Sequence, residues 1–299
     1  LLSISFGIFW LQYHFIGRKN YVTLSGKGVE GRSTPLSFGL KITVVSIFAA
    51  WVGFNALLYG SIFYGSVMQN WGVNHTFTLQ HYITLFGQGW KNGAIPSLVQ
   101  TVLFAVIAAP FTAMSGFLLA YFFSRHHFFG QKHIEFLTLL SFAVPGTVAG
   151  VSYILAFNHV PLYLTGTGAI IVLSMVSRNM PIGLRAALVN FKQLDPALDE
   201  AAYSLKASAF QTLRFITLPL LKPALLSALV TSFVRAMTTI SAIIFLVTPS
   251  TRVATSFILN RVEDGDYGLA VAYGASLIVI MMLVIGLFGR WVGETKLGR

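Results

Sequence analysis

The 299-residue chain contains no cysteine. That absence excludes disulfide staples, thiolate catalysis and cysteine-based metal sites. Charge is nearly as scarce: 10% of the residues are Asp, Glu, Lys or Arg, against about 25% in soluble globular domains. Such a chain has too little polar surface to face water on all sides. Acidic residues are the rarest, nine in all, and none is expected in mid-span. The seven histidines (His14, His75, His81, His126, His127, His133, His159) show no H-E-x-x-H or related metal-binding spacing. The phosphate-binding pattern G-x-x-x-x-G-K-[ST] is missing too, since Gly26-Lys27 lacks the upstream glycine. No nucleophile–base pair or ligand set stands inside the apolar runs. Neither catalytic residues, a bound metal nor a cofactor is expected on this chain, and any ATP chemistry belongs to another polypeptide.

What is present is hydrocarbon. The chain is 55% hydrophobic with mean hydropathy +0.74. Several apolar runs exceed the roughly 20 residues that cross a bilayer as helix, whereas barrel strands would show short alternating segments. The expected fold class is all-α, a polytopic transmembrane helical bundle. Hydropathy places segments at 1–16, 37–66, 96–124, 136–157, 166–189, 223–248 and 269–292. Residues 1–16, which begin without Met, read as the end of a preceding transmembrane helix in a longer protein. Residues 17–36, rich in Gly, Ser and charge, read as a cytoplasmic linker between two membrane halves. Residues 37–299 then form a six-helix domain with an external loop at 67–95.

The net charge of +11 invites a nucleic-acid reading, but its placement argues against one. Twelve Lys and Arg fall on one side of the spans, in loops 17–36, 125–135 and 190–222 and in the tail. The opposite side holds three: Lys91, Arg252 and Arg261. The positive-inside rule puts loop 190–222 in the cytoplasm. Loop 67–95 is external, and its aromatics (Trp71, Phe77, Tyr82, Phe86, Trp90) suit either an interfacial belt or packing over the helices. Loop 249–268 is a mixed-charge external surface, either solvated or turned toward a binding protein.

Loop 190–222 carries the most information. Seven charges lie between Lys192 and Lys222, in a chain otherwise short of them. Asp195-Pro196 reads as a helix start, the Asp as cap and the Pro at the first helical position. Leu198, Ala202, Leu205 and Ala209 follow at steps of four, three and four, which predicts one apolar helical face. Asp199 and Glu200 fall in the first turn, where carboxylates suit the helix dipole. A second short helix over Phe210, Leu213 and Ile216–Thr217 is expected to end at Pro219, with Pro219 and Pro223 setting the angle of re-entry. The acidic start favours a protein partner over lipid headgroups.

Arg178 and Arg235 are expected near mid-bilayer, where a charged side chain costs at least about 2.5–3.5 kcal/mol. They fit a pathway for an anionic or anion-complexed solute, with Thr238, Thr239 and Ser241 as hydroxyl neighbours. They equally fit bonding to carbonyls and hydroxyls of adjoining helices, Asn179 and Thr238–Thr239 among them. Arg185 lies nearer the cytoplasm and is expected to snorkel. Gly146, Gly150, Gly166 and Gly168 read as close packing or helix breaks.

Glu200-Ala201-Ala202, Leu218-Pro219 and Pro223 resemble the EAA loop of ABC importer inner-membrane permeases of type I, the maltose/methionine-permease-like fold. Pro181, the run Gln193-Leu194-Asp195-Pro196, Ser97-Leu98 with Thr101, and Phe77-Thr78-Leu79 with Tyr82 agree with that family, so the resemblance covers about 70–299. It implies a coupling helix seated in a groove of a cytoplasmic ABC ATPase dimer, with Asp199, Glu200, Ala201, Ala202, Leu205, Lys206, Leu218 and Pro219 in the coupling loop. It also implies an external solute-binding protein and a first permease half or second copy as partners. The family places Gly where this chain has Lys206; either the helix continues there or its surroundings hold the turn. Arg235-Ala-Met-Thr-Thr-Ile-Ser-Ala-Ile-Ile-Phe-Leu, Arg252-Val-Ala-Thr and Arg261-Val-Glu-Asp-Gly-Asp-Tyr-Gly are most similar to ferric-iron permeases with a fused double core. The same stretch is similar in permeases for phosphorylated or phosphonate solutes. An ion-coupled secondary transporter is the contrasting class, and it would require intramembrane carboxylates.

Overall fold

The structure is a computed structural model and describes residues 37–297 except 88, 91–92, 127, 142–143 and 196. The segment at 1–16, the linker at 17–36, Lys91, His127, Pro196 and Arg299 lie outside the described residues. The long helices are α1 (Phe38–Ser66), α3 (Ala94–Arg125), α6 (Gly168–Gln193), α9 (Lys222–Thr238) and α11 (Tyr267–Leu297). Between α1 and α3 come strands β1 (Met68–Asn70) and β2 (Asn74–Phe77) and the short helix α2 (Gln80–Phe86). Shorter helices are α4 (Gln131–Leu140), α5 (Gly146–Phe157), α7 (Ala197–Ser204), α8 (Ala209–Leu220) and α10 (Ala254–Glu263).

The bundle centres on α3 and α6, and small residues explain why. Thr101, Ala105, Ala108, Thr112, Gly116 and Ala120 recur at helical steps along α3, and all are buried. Ile171, Met175, Asn179, Gly183, Ala187 and Phe191 recur every fourth residue on α6 and are buried as well. The backbones touch where the glycines meet. A Cβ on Gly116 would stand 2.8 Å from Leu184 N and 2.9 Å from the Gly183 carbonyl carbon. Within a bilayer no hydrophobic force draws helices together, so close van der Waals approach over small residues supplies the association. Apolar packing on either side of this crossing forms two cores. One holds Phe104, Ile171, Met175, Phe233, Phe257 and Tyr273 toward the predicted outer side, the other Phe117, Tyr121, Phe123, Leu184, Phe191 and Leu221 toward the cytoplasm.

Among the described residues three helices (α1, α3, α11) are long and apolar enough to cross, or four if the bent pair α8–α9 counts as one. Two of the expected apolar segments are corrected. The segment at 136–157 is two helices, because Pro145 and Gly146 start α5 afresh rather than prolonging α4. The segment at 223–248 leaves helix after Thr238 and continues as a turn and a short 3₁₀ stretch at Ile243–Phe245. The all-α class holds, with one short antiparallel pair, β1 and β2, between α1 and α2.

The external loops are packed rather than floppy. Trp71 covers Gly65 at the end of α1, while Tyr82 and Phe86 pack on the outer core; Phe77 and Trp90 are exposed. Residues 249–268 hold α10, whose Val253, Ala254 and Phe257 are buried. Its first N–H is satisfied from α3, as Ala254 donates to Thr101 Oγ1 at 2.6 Å. Almost all of α1 is exposed except Gly65 and Ser66.

The crossing yields a paired prediction. Gly116→Ala drives a methyl into the α6 backbone and should cost about 1–3 kcal/mol, the range for overpacking. Gly183→Ala meets its nearest atom, Thr112 O, only at 3.5 Å and should be neutral or slightly stabilising through helix propensity. Thermal unfolding in detergent compares them, and equal melting temperatures would remove the crossing as the governing contact.

Candidate coupling loop and solute cavity

The loop after α6 opens as expected. Asp195 Oδ1 accepts the Ala197 N–H at 2.9 Å, and Asp199 and Glu200 stand in the first turn of α7. Ala202 is buried at 3% exposure, while Glu200 and Ala201 face outward.

The predicted apolar face stops there. Leu205 is 84% exposed, and Ala209 begins the next helix on the surface. The reason is Lys206, which has φ +59° and is the one non-glycine residue with positive φ among the described residues. Lys206 N donates to Tyr203 O at 2.9 Å and Ala207 N to Ala202 O at 3.0 Å. These are the two bonds of a Schellman stop, with the left-handed residue in the position that glycine usually takes. Helix α7 therefore ends at Ser204, and the chain turns before the stripe can continue.

The second helix is started by a device that sequence reasoning missed. Ser208 and Gln211 form a capping box, Gln211 Oε1 accepting from Ser208 N at 2.7 Å and Ser208 Oγ from Gln211 N at 3.3 Å. The S-x-x-Q spacing was the available signal. Pro219 does not end this helix, contrary to expectation. A wide π turn over Leu213–Thr217 precedes it, and Leu221 N donates to Thr217 O at 3.0 Å, carrying the helix past the proline. The bend, 74° between α8 and α9, falls at Leu221, and Pro223 sits in the first turn of α9. Leu213 and Leu218 pack on the cytoplasmic core. Tyr203, Leu205, Phe210 and Phe215 are left more than half exposed, an apolar surface on a segment that has water available.

A second unpredicted feature ties α7 to the bundle. Arg125 Nε, in the last turn of α3, lies 2.6 Å from Asp199 Oδ2, and both side chains are mostly covered.

Arg178 borders an open cavity. This space of about 330 Å³ is lined by Ser141, Ser152, Tyr153, Ser177 and Arg178, with Val144 and Phe157 among its apolar walls. The guanidinium donates to Val144 O at 3.5 Å, the limit for a hydrogen bond. Tyr153 and Ser177 hydroxyls bond to each other. Among the described residues no carboxylate lines the cavity.

The other candidates lie elsewhere. Arg235 is exposed on α9, and Thr238 and Thr239 spend their hydroxyls on the last carbonyls of that helix, Thr239 Oγ1 to Arg235 O at 2.6 Å. Ser241 packs on the start of α5, where a Cβ on Gly146 would overlap its side chain, and Gly150 similarly admits Ala242 O. The non-helical backbone after α9 is thus pressed against the beginning of α5, beside the Val144 carbonyl that Arg178 meets. Asn179, offered as an arginine partner, is buried on the α3-facing side, and its Nδ2 has no hydrogen-bond partner. Arg178 and Arg235 do not share this cavity. Among the described residues no group of three or more His, Asp or Glu side chains is arranged to hold a metal.

The described architecture sets a pair of short, largely exposed helices (α7 and α8) at one end of a bundle of apolar helices. Residues 94–294 match the family model described as "Binding-protein-dependent transport system inner membrane component", and the chain belongs to that family. It is 60% identical over 297 residues to the ferric transport system permease protein FbpB of Actinobacillus pleuropneumoniae, covering 99% of this chain and 43% of that one. It is 62% identical over 284 residues to a putative ferric transport system permease protein FbpB 1 of Haemophilus influenzae, covering 89% and 45%. The chain thus spans less than half the length of these two relatives. The sulfate transport system permease protein CysT of Salmonella typhimurium is 29% identical over 72% of this chain and 83% of its own. Among solved structures, a bacterial ABC transporter for import of the acidic polysaccharide alginate matches with TM-score 0.69 at 16% identity, over 85% of this chain and 95% of that chain. At that identity the likeness speaks for the fold, the type I permease arrangement expected from the EAA loop.

The Schellman stop at Lys206 gives a direct test. A left-handed non-glycine residue costs about 1–2 kcal/mol, partly offset in glycine by its freer unfolded chain. Lys206→Gly should therefore be neutral or stabilise by up to about 1 kcal/mol in thermal unfolding, and should leave ATPase capture intact. Loss of capture would show that the lysine side chain makes a contact of its own.

Proposed function

We propose that this chain forms one membrane half of an ABC importer permease that carries ferric iron across the inner (plasma) membrane as a multi-pass protein. In this reading the solute is delivered by an external binding protein. A cytoplasmic ATPase dimer binds and hydrolyses ATP, and its motion switches the access of the membrane part. The second half is a further permease segment or a second copy. The observation that carries the reading is the exposed, separately stopped helix α7 that displays Glu200, with Leu205 exposed in the turn that ends it. Names of the 60–62% identical relatives support iron as cargo. A gradient-driven secondary transporter fits poorly, because this chain belongs to the binding-protein-dependent family.

A second reading has one observation in its favour. The Arg178 cavity presents a cation and hydroxyls but no carboxylate, so it would repel a bare ferric ion and attract an oxyanion. Iron would pass as an anionic complex, or the cargo is itself a phosphorylated or phosphonate solute.

Two experiments separate these points, both in the full-length protein reconstituted with its ATPase and binding protein. Leu205→Asp and Glu200→Ala should lower ATPase co-purification by at least about tenfold, the scale of an interface hot spot, with membrane abundance unchanged. Full capture and normal stimulated hydrolysis in Leu205→Asp would overturn the coupling assignment. Arg178→Gln should reduce uptake by about tenfold or more, the worth of a charge-assisted hydrogen bond, with Arg178→Lys recovering part of it. Arg235→Gln should leave uptake within about twofold. Competition of labelled ferric uptake by phosphorylated solutes then decides between the cargoes.

A further inference from the structure

The contact between Arg125 and Asp199 joins the part of the protein that meets the ATPase to the part that lines the membrane. Helix α7 has no extended packing interface with any other helix. Ala202 is buried, and Asp199 Oδ2 lies 2.6 Å from Arg125 Nε as an ion pair without hydrogen-bond geometry, with side-chain exposures of 17% and 15%. Each charge also sits where the helix dipole favours it. Arg125 is in the last turn of α3, at the negative end, and Asp199 is in the first turn of α7, at the positive end. An exposed ion pair contributes little, but a mostly covered one resists being pulled apart, because separation strands a charge in poor solvent.

Helix α3 is placed to carry a displacement onward. It is 32 residues long, its backbone touches α6 at Gly116 and Gly183, and α6 bears Arg178. At its outer end Thr101 Oγ1 accepts from Ala254 N, and Gln100 Nε2 donates to Ser250 O at 2.8 Å. A shift of α3 therefore reaches both the cavity helix and the external segment around α10.

We infer that the Arg125–Asp199 ion pair is the strut through which movement of α7 is transmitted to α3, making both positioning residues for transport rather than contacts for the ATPase. The inference rests on the importer reading. It predicts that breaking the strut spares docking but uncouples it.

The test uses the full-length permease with its ATPase and binding protein in proteoliposomes. Arg125→Gln, outside the coupling loop, should retain ATPase co-purification and basal hydrolysis, and it is compared with Asp199→Asn and the double variant. All three should lose about tenfold of the stimulation by loaded binding protein and a similar share of uptake, as expected for a broken charge-assisted contact. The double variant should be no worse than either single one, since both remove the same interaction. Arg125→Lys, which keeps the charge, should recover part of the stimulation. If Asp199→Asn instead loses ATPase capture while Arg125→Gln does not, Asp199 is a docking residue and the strut is overturned. Losses that add in the double variant, or normal stimulation in Arg125→Gln, overturn it as well. Wild-type protein that neither captures the ATPase nor shows stimulated hydrolysis would instead be a failure of the importer reading.

Discussion

The bundle depends on one steric condition: at Gly116 and Gly183 the backbones of α3 and α6 come into contact. Lipid offers helices no hydrophobic reason to associate, so the closeness of approach sets the attraction, and small side chains set the closeness. From this crossing the other elements take their positions. Phe117, Leu184 and Phe191 close the cytoplasmic side beneath it, and the outer core with Phe104, Ile171 and Phe233 builds above it.

A bundle held in this way tolerates broken helices where broken helices are useful. Backbone that leaves helical geometry inside a membrane must be covered by protein or border a polar cavity. Both conditions are met here. The turn after Thr238 lies against α5 through Gly146 and Gly150, which have no side chain to hold it off, and the Val144 carbonyl before α5 faces Arg178. The cavity beside them combines a single guanidinium with serine and tyrosine hydroxyls against apolar walls. A charge set in such walls acts over a longer range than it would in water.

The cytoplasmic segment follows a different logic, because water is available to it. Each short helix there is given its own start and stop: Asp195 and the Lys206 turn for α7, Ser208–Gln211 and the bend at Leu221 for α8. One side of each helix rests on the bundle through Ala202, Thr212 and Thr217, and Tyr203, Leu205 and Phe210 are left uncovered. The Arg125–Asp199 pair then joins α7 to the end of α3.

Composition and periodicity pointed to a helical membrane protein and to the positions of α1, α3, α6 and α11, and a family resemblance marked the EAA-like segment between α6 and α9. These depend on local properties, hydropathy and loop charge, that survive without knowledge of neighbours. Cap residues were legible for the same reason, although the Ser208–Gln211 box was overlooked and the left-handed turn at Lys206 was left open between two conformations. Only the tertiary structure decided that Arg178 borders a cavity while Arg235 does not, that Asn179 turns inward, and that Pro219 is carried within a helix. It also found Arg125 for Asp199, residues 74 apart in the chain. Whether a polar side chain in the membrane serves a solute or a neighbouring helix depends on which helices surround it. Hydropathy records how much of a side chain avoids water, not what it meets instead.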